Sequence, residues 1–372
     1  MRYVTILFAA LSGLFLAVAP ALAEPAPRAL LVVSGHGDGG RTRPGFEMDE
    51  FAQAWAAFRD NGFEVEVASP AGGAVQPDEY EADKSYNLRI LADAAAMRAL
   101  SRTIDTGAAD PGAYAAIYVL GGGGAMFDLY ADGALQALIA RAYAQGAVVG
   151  GVCHGPAVLA NVRLPGGRPL VEGRRVTGFS NAEEEMFGER WSASYPTLLE
   201  TAIRARGASF EQGPAMLPHV VADGRLVTGQ NPFSTARTVE AMVRALGREP
   251  APREPYADER SLILVGRFLA GERAQAAADL AAAPSAHDVM LIGIYGDILA
   301  AQAGEDAAKL RTALELMELA AARLWEPRLE LSMASVERRL GNPAGARQRA
   351  ERVLAREPAN EPARRLLASL AE

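Results

Sequence analysis

Apolar and polar positions along the first two thirds of the chain alternate between two spacings. Continuous short apolar runs are typical of strands buried on both faces, and there are three: residues 29–33, 115–120 and 147–152. A fourth strand is predicted at residues 63–68, with Val65 and Val67 on one side. Apolar side chains recur at helical spacing in three segments: residues 48–60, 131–145 and 235–246. Weaker strands are predicted near residues 175–178 and 225–227, and residues 78–102 are predicted as a loop. This alternation predicts an α/β fold with a mostly parallel sheet covered on both faces.

The remainder of the chain has a different composition. A Pro-rich polar stretch over residues 248–259 is typical of a stiff linker, and it separates a first domain at 28–247 from an all-α domain at 260–372. Helices predicted at 335–340, 344–355 and 361–370 are broken by short Gly, Asn and Pro turns, as in tetratricopeptide-like helical repeats. A plain bundle of α-hairpins is the alternative. In either case we expect this domain to dock a protein partner or to support oligomerisation.

The first 23 residues have the pattern of a signal peptide. Arg2 provides the positive charge, residues 4–18 an apolar core, and Ala21-Leu22-Ala23 a small-residue cleavage site. We predict cleavage after Ala23 and a periplasmic or secreted mature protein. An uncleaved membrane anchor is the alternative, although the apolar core is short for a span. After signal removal the sequence predicts no membrane partner.

Charge and cysteine content narrow the possible functions. The chain has 37 Lys and Arg against 45 Asp and Glu, and this acidic balance disfavours a nucleic-acid partner. A single cysteine allows no intramolecular disulfide. No His/Cys spacing suggests a metal site, and no Gly-Lys-Ser/Thr follows the glycines at 121–124, which argues against a nucleotide loop. The sequence therefore predicts neither a metal nor a cofactor.

Cys153 lies in the run GGVCHGPA at residues 150–157, where a predicted strand ends and a helix is predicted to begin. A strand, a sharp turn and a helix form the geometry of a nucleophile elbow. We expect the thiol to point into solvent, close to a helix N-terminus whose partial positive charge favours the thiolate. A buried cysteine that acts only as a small apolar residue is the alternative.

A nucleophilic thiolate needs an oxyanion stabiliser and a proton carrier. The backbone N–H of His154 follows the nucleophile, and Gly122 and Gly123 end a neighbouring predicted strand, so these groups are candidates for an oxyanion site. Proton carriers are sought in His154 and in the acidic runs 47–50 and 183–185. Both runs also fit the ordinary role of acids in a first helical turn.

Several motifs together resemble the ThiJ/PfpI superfamily, which has a class I glutamine amidotransferase-like fold. They are GFEMDE at 45–50, the Gly-Gly loop before AMFD at 125–128, GVCHGPA at 151–157 and TGQNP at 228–232. The branch is similar to the chaperone/glyoxalase III group. The resemblance implies a flavodoxin-like parallel-sheet sandwich, a homodimer, and cofactor-free conversion of methylglyoxal to D-lactate in some members. Other members are holdases or peptidases.

The resemblance also implies roles for individual residues. Cys153 matches the nucleophile, His154 its adjacent histidine, and Glu184 the acidic third position. Asp49 falls where the family has a glutamate that hydrogen-bonds the cysteine, one methylene longer than aspartate. Gly122 and Gly123 match the oxyanion and substrate-binding loop, with Gly123 where close relatives often have histidine.

These observations lead to one hypothesis and two alternatives. We expect a cofactor-independent cysteine enzyme acting on small reactive aldehydes, similar to glyoxalase III. A chaperone-like stress-response protein and a cysteine hydrolase acting on amides or peptides are the alternatives. Class I amidotransferases use a later His-x-Glu, whereas His219 is followed by Val220 and Val221, so glutamine hydrolysis is not expected.

Overall fold

A central sheet of seven strands organises the first domain of the computed structural model, which describes residues 25–188 and 190–370. The signal peptide predicted at residues 1–23 lies outside the described residues. The strands are β1 (Arg28–Val32), β2 (Glu64–Ser69), β3 (Ile104–Asp105), β4 (Ala116–Val119), β5 (Val148–Val152), β8 (Val220–Asp223) and β9 (Leu226–Gly229). Their order is β3-β2-β1-β4-β5-β9-β8, and every neighbouring pair is parallel except β8 with β9. Two short strands, β6 (Arg175–Val176) and β7 (Ser209–Phe210), pair separately.

Helices cover both faces of this sheet. They are α1 (Met48–Asp60), α2 (Ser85–Leu91), α3 (Ala94–Ser101), α4 (Gly133–Ala144), α5 (Asn181–Phe187), α6 (Leu199–Ala205) and α7 (Thr235–Ala245). One apolar core contains side chains of α1 and α7, and a second core on the opposite face contains side chains of α4. The predicted α/β class is confirmed, and the four main strands lie within one residue of their predicted bounds.

The region predicted as a loop at residues 78–102 contains α2 and α3 instead. Tyr86, Ile90, Ala96 and Leu100 are buried against the first domain. Asp93 caps α3 by accepting hydrogen bonds from the N–H groups of Ala95 and Ala96. Each helix buries only part of its apolar side chains in the core, because Leu88, Leu91 and Met97 are exposed. The two helices are therefore too short and too mixed to give a clear periodic signal.

The second domain is helical, as predicted. Its helices are α8 (Ala257–Leu269), α9 (Arg273–Ala282), α10 (Val289–Gln302), α11 (Ala307–Ala321), α12 (Pro327–Arg339), α13 (Pro343–Arg356) and α14 (Glu361–Ser369). Consecutive helices pack in pairs, with α10 against α11 and α12 against α13. Within residues 25–188 and 190–370, none of the helices has both the length and the apolar character needed to cross a bilayer.

The linker predicted at residues 248–259 differs from the observed segment in two ways. Helix α8 begins at Ala257, inside the predicted linker. The preceding residues are packed and do not act as a spacer: the N–H of Ala251 donates to Asn61 Oδ1 at 2.7 Å, and Arg253 pairs with Glu240 and Glu259. These contacts fix the helical domain against the first domain.

Candidate active site

Cys153 directly follows β5 and has a φ of 56°, in the left-handed region that a side chain rarely adopts. Two hydrogen bonds hold it there: its N–H donates to Gly229 O at 3.1 Å, and its carbonyl accepts from Phe179 N–H at 2.9 Å. A side chain at Gly155 would overlap the carbonyl of Val119, so glycine is required for the turn. This geometry is that of a nucleophile elbow. The helix predicted after it is present at Gly155–Asn161 and is a 3₁₀ helix.

The Cys153 thiol is buried, with an exposed fraction of 5%. Burial and the nearby Glu50 carboxyl raise the pKa of the thiol, whereas a hydrogen bond from the Gly122 N–H opposes them. The expectation of a solvent-facing thiolate is therefore wrong for this state. The loop after β4 and the start of α1 cover the turn. Desolvation and a neighbouring acid therefore raise the pKa of the thiol more than the helix dipole lowers it.

His154 connects the thiol to an acid. Its Nδ1 lies 3.5 Å from Cys153 Sγ, and its Nε2 lies 2.8 Å from Glu184 Oε2. The imidazole is buried between the rings of Phe179 and Tyr195, at centroid distances of 4.6 and 5.7 Å. The structure thus brings together Cys153, His154 and Glu184 in the order thiol, imidazole, carboxylate.

A second glutamate, Glu183, holds this arrangement in place, although the sequence analysis named it only as part of the acidic run 183–185. Its Oε1 accepts hydrogen bonds from Met216 N–H and Asn231 Nδ2, both at 3.0 Å, and its Oε2 accepts from Gln230 Nε2 at 3.0 Å. Ser180 and Glu183 also form a capping box that begins α5. The Gln-Asn pair of the TGQNP motif therefore positions the helix that carries Glu184.

The expected contact of Asp49 with the cysteine is wrong. Asp49 Oδ2 accepts hydrogen bonds from Lys84 Nζ at 2.8 Å and Tyr86 Oη at 2.9 Å, and Oδ1 accepts from Asn87 Nδ2 at 2.6 Å. These donors belong to α2 and to the residue before it, a region predicted as loop.

The neighbouring Glu50 lies against Cys153 instead. Its Oε2 accepts the Gly121 N–H at 2.6 Å, and its Oε1 is buried without a conventional hydrogen bond within the described residues. Burial and the charge of Glu47 raise the pKa of Glu50 well above its usual value. One step along an α-helix rotates the side chain by about 100°, which separates Glu50 from Asp49. Glu50 therefore occupies the place beside the sulfur that the sequence had assigned to Asp49.

Glu47 is a further acid on the wall of the same site. It is half-buried, lines the cavity beside Cys153, and is one of the residues that the sequence did not single out. Burial and the charges of Asp49 and Asp78 raise its pKa to about 7. Glu47 immediately precedes α1 and Glu50 lies in its first turn, three residues later, and this spacing is the signal that identifies the pair.

The glycine loop after β4 faces the sulfur as predicted. Gly122 has a φ of 86° and directs its N–H to the Cys153 sulfur. A Cβ at Gly123 would lie 2.9 Å from both Pro44 Cβ and Tyr195 Oη. A histidine side chain has no space at this position, because Pro44 and Tyr195 occupy it.

The cavity above Cys153 has a volume of about 350 Å³. Its acidic side chains are Glu47, Asp78, Glu183 and Glu184, and no Lys or Arg lines it within the part of the chain that the structure describes. Large apolar and aromatic side chains form the rest of its wall: Phe179, Phe187, Trp191, Tyr195, Met216 and Phe233. In the described ranges, no group of three or more His, Cys, Asp or Glu residues is arranged to hold a metal ion.

The first domain is similar to known proteins. The sequence profile of the DJ-1/PfpI family matches residues 42–245. Glyoxalase 3 of Candida albicans is 31% identical over 223 residues, covering 56% of this chain and 92% of that protein. A glutathione-independent glyoxalase of Schizosaccharomyces pombe is 31% identical over 212 residues, covering 54% of this chain and 86% of its own length. The crystal structure of Candida albicans glyoxalase III has a TM-score of 0.54 at 26% identity, covering 59% of this chain and 97% of that one.

Proposed function

The chain belongs to the DJ-1/PfpI family, and we propose that it is a glutathione-independent glyoxalase that converts a 2-oxoaldehyde and water into a 2-hydroxy acid. The observation that carries the proposal is the series Cys153 Sγ, His154 and Glu184, at 3.5 and 2.8 Å, inside a cavity. Relatives that are named glyoxalases share the α/β domain that contains this series.

The first step is addition of the sulfur to the aldehyde carbon. The C–S bond forms as the carbonyl π bond breaks, and the thiol proton passes through Glu50 to the new alkoxide oxygen. The raised pKa values of Cys153 and Glu50 support this transfer, because a buried pair that disfavours two negative charges retains at least one proton. The N–H groups of Gly122 and His154 stabilise the developing oxyanion. The product is a hemithioacetal.

The second step moves hydrogen between the two carbons. His154 removes the proton from the former aldehyde carbon while Glu47 protonates the ketone oxygen, which gives an enediol. His154 then returns the proton to the adjacent carbon, and Glu47 takes the hydroxyl proton of the first carbon. The first carbon is thereby oxidised and the second reduced, so that no external oxidant is needed. Glu184 orients the imidazole and stabilises its protonated form.

Hydrolysis completes the cycle. A water molecule adds its oxygen to the thioester carbon, the C–S bond breaks, and His154 transfers the proton of the water to the departing sulfur. The products are the 2-hydroxy acid and the free thiol. The thiol, His154, Glu47 and Glu50 all return to their starting protonation states.

The test is the formation of D-lactate from methylglyoxal by the purified protein in the absence of glutathione. The proposal predicts turnover in the wild type and its loss in a folded Cys153→Ala variant. A cysteine hydrolase would instead release product from amide or ester substrates and give no lactate. A chaperone-like protein would suppress aggregation of a client equally well with and without Cys153.

A further inference from the structure

Two groups of side chains line the cavity around Cys153. The first group contains the thiol, His154 and the acids Glu47 and Asp78. The second group, here called the apolar wall, includes Phe187, Trp191, Met216 and Phe233 and provides no charged group. A volume of about 350 Å³ falls within the ~300–1,000 Å³ range of pockets that enclose drug-sized ligands. The reacting –CO–CHO group of a 2-oxoaldehyde occupies only a small part of this space.

The charges of the wall restrict the ligand further. Four carboxyl side chains line the cavity, and within the described residues no Lys or Arg offsets them there. A ligand with a carboxylate or phosphate substituent is repelled by this surface, whereas a neutral apolar substituent fits the aromatic wall.

Met216 connects this apolar wall to the helical domain. It has a φ of 63°, which is unusual for a residue other than glycine, and its N–H donates to Glu183 Oε1 at 3.0 Å. Its side chain lines the cavity and also belongs to an apolar cluster that contains Leu262 of α8 and Leu291 of α10. Phe233 lines the cavity as well and packs against the same cluster.

A second contact between the helical domain and the cavity wall lies at the end of α5. Gln302 Nε2 of α10 donates to Met186 Sδ at 2.6 Å, and Phe187, the next residue, lines the cavity. Two parts of the apolar wall are therefore held by helices outside the region that matches the DJ-1/PfpI family, since that match ends at residue 245.

We propose that the helical domain shapes the substrate pocket, and that the pocket selects neutral 2-oxoaldehydes with an aromatic or similarly bulky apolar substituent over methylglyoxal. This inference rests on the proposed glyoxalase activity and names its substrate class. Met216 and Phe233 are the specificity-determining residues, and Leu291 positions Met216 from the helical domain. The reaction remains addition of water with an internal hydrogen shift, so that phenylglyoxal gives mandelate.

The experiment compares kcat/KM of the full chain for methylglyoxal, phenylglyoxal and 4-carboxyphenylglyoxal. Chromatography measures the 2-hydroxy acid that is formed. Loss of the aldehyde is not used, because the aldehyde also reacts with arginine side chains. We expect phenylglyoxal to exceed methylglyoxal by about 10-fold or more, because its ring is buried against the apolar wall. We expect the carboxylated ring to fall about 10-fold or more below phenylglyoxal.

Variants then locate the selectivity. Met216→Ala should lower kcat/KM for phenylglyoxal about 10-fold while changing that for methylglyoxal less than about threefold. Leu291→Ala should change the ratio of the two kcat/KM values in the same direction, although Leu291 does not line the cavity. Leu310→Ala removes the same group from a second apolar cluster of the helical domain, away from Met216, and should leave the ratio unchanged. Thermal unfolding of each variant identifies those that fold.

The outcomes separate this inference from the function on which it rests. The pocket assignment is overturned if the protein prefers methylglyoxal or uses the charged and neutral rings equally. It is also overturned if folded Met216→Ala leaves the ratio of kcat/KM for phenylglyoxal to that for methylglyoxal unchanged. An unchanged ratio in folded Leu291→Ala overturns the role of the helical domain. Turnover of none of the three aldehydes, or turnover that persists in Cys153→Ala, contradicts the glyoxalase function itself.

Discussion

The Nε2 atom of His154 and the Oε2 atom of Glu184 lie 2.8 Å apart, and both side chains are buried. In this position Glu184 fixes which imidazole nitrogen carries the proton and leaves Nδ1 directed to Cys153 Sγ. The geometry therefore assigns Nδ1 as the atom that exchanges protons with the substrate.

Replacing this acid tests its role. Glu184→Gln keeps the side-chain length but removes the charge that stabilises a protonated His154. We expect kcat/KM to fall about 100-fold or more in steady-state assays with methylglyoxal. The Cys153 thiol should still react with iodoacetamide. Glu185→Gln, which changes an exposed neighbour on the same helix, is the matched control and should retain wild-type kinetics. Equal kinetics in the two variants would remove Glu184 from the mechanism.

Glu50 and Asp49 provide a second matched pair. Glu50→Gln leaves the Oε2 contact with the Gly121 N–H possible but removes the acid that takes the thiol proton, so kcat should fall about 100-fold or more. Asp49→Asn weakens the contacts with Lys84 and Tyr86, so it should lower the melting temperature while kcat per folded molecule stays near wild type. The opposite result, with turnover lost in folded Asp49→Asn and kept in Glu50→Gln, would restore the assignment made from sequence.

Glu47 should control the alkaline side of the pH profile. Its pKa is raised to about 7, and the mechanism uses its protonated form first. The rate constant kcat/KM is therefore expected to decline as pH rises through about 7. In Glu47→Gln this limb should disappear and the maximal rate should drop. A wild-type profile that is flat from pH 6 to about pH 8 would contradict this role.

The same carboxyl predicts a change in stability with a definite sign. Its folded pKa of about 7 lies above the ordinary value of 4.5, so between these values the folded state binds more protons than the unfolded state. The free energy of unfolding should consequently fall as pH rises from about 4.5 to about 7. Urea unfolding across this range should show a shallower decline in Glu47→Gln than in the wild type. An identical slope in both would show that Glu47 titrates normally.

The turn at Cys153 should be intolerant of a methyl group. Gly155→Ala would force a Cβ into the carbonyl of Val119, and we expect a loss of about 2 kcal/mol or more in urea unfolding. Gly133→Ala is the control, because a Cβ at Gly133, at the start of α4, meets no atom within 4 Å among the described residues. That variant should be neutral or slightly stabilised. Similar losses in both variants would remove the steric explanation.

The sequence predicted the buried strands well, because three of them are continuous apolar runs and the fourth, at residues 63–68, alternates polar residues with Val65 and Val67. It also predicted Cys153, His154 and Glu184 as partners, since the elbow and the family motifs place them. It assigned the wrong acid in α1, because Asp49 and Glu50 are adjacent and only the rotation of the helix decides which faces the thiol. The burial of Cys153 was also missed, because it depends on segments distant in the chain. Likewise the contact of Met216 with the helical domain depends on packing between domains that no local pattern records.

The most direct test of the central claim is intact-protein mass spectrometry of the full chain after rapid mixing with methylglyoxal and acid quench. The account predicts a covalent adduct with the mass of the hemithioacetal or its isomeric thioester. Digestion of the quenched protein should locate this adduct on the peptide that contains Cys153. The adduct should form and decay at rates that match turnover, and it should be absent in Cys153→Ala. D-lactate formation with no adduct on Cys153, or at an equal rate in folded Cys153→Ala, would contradict the account.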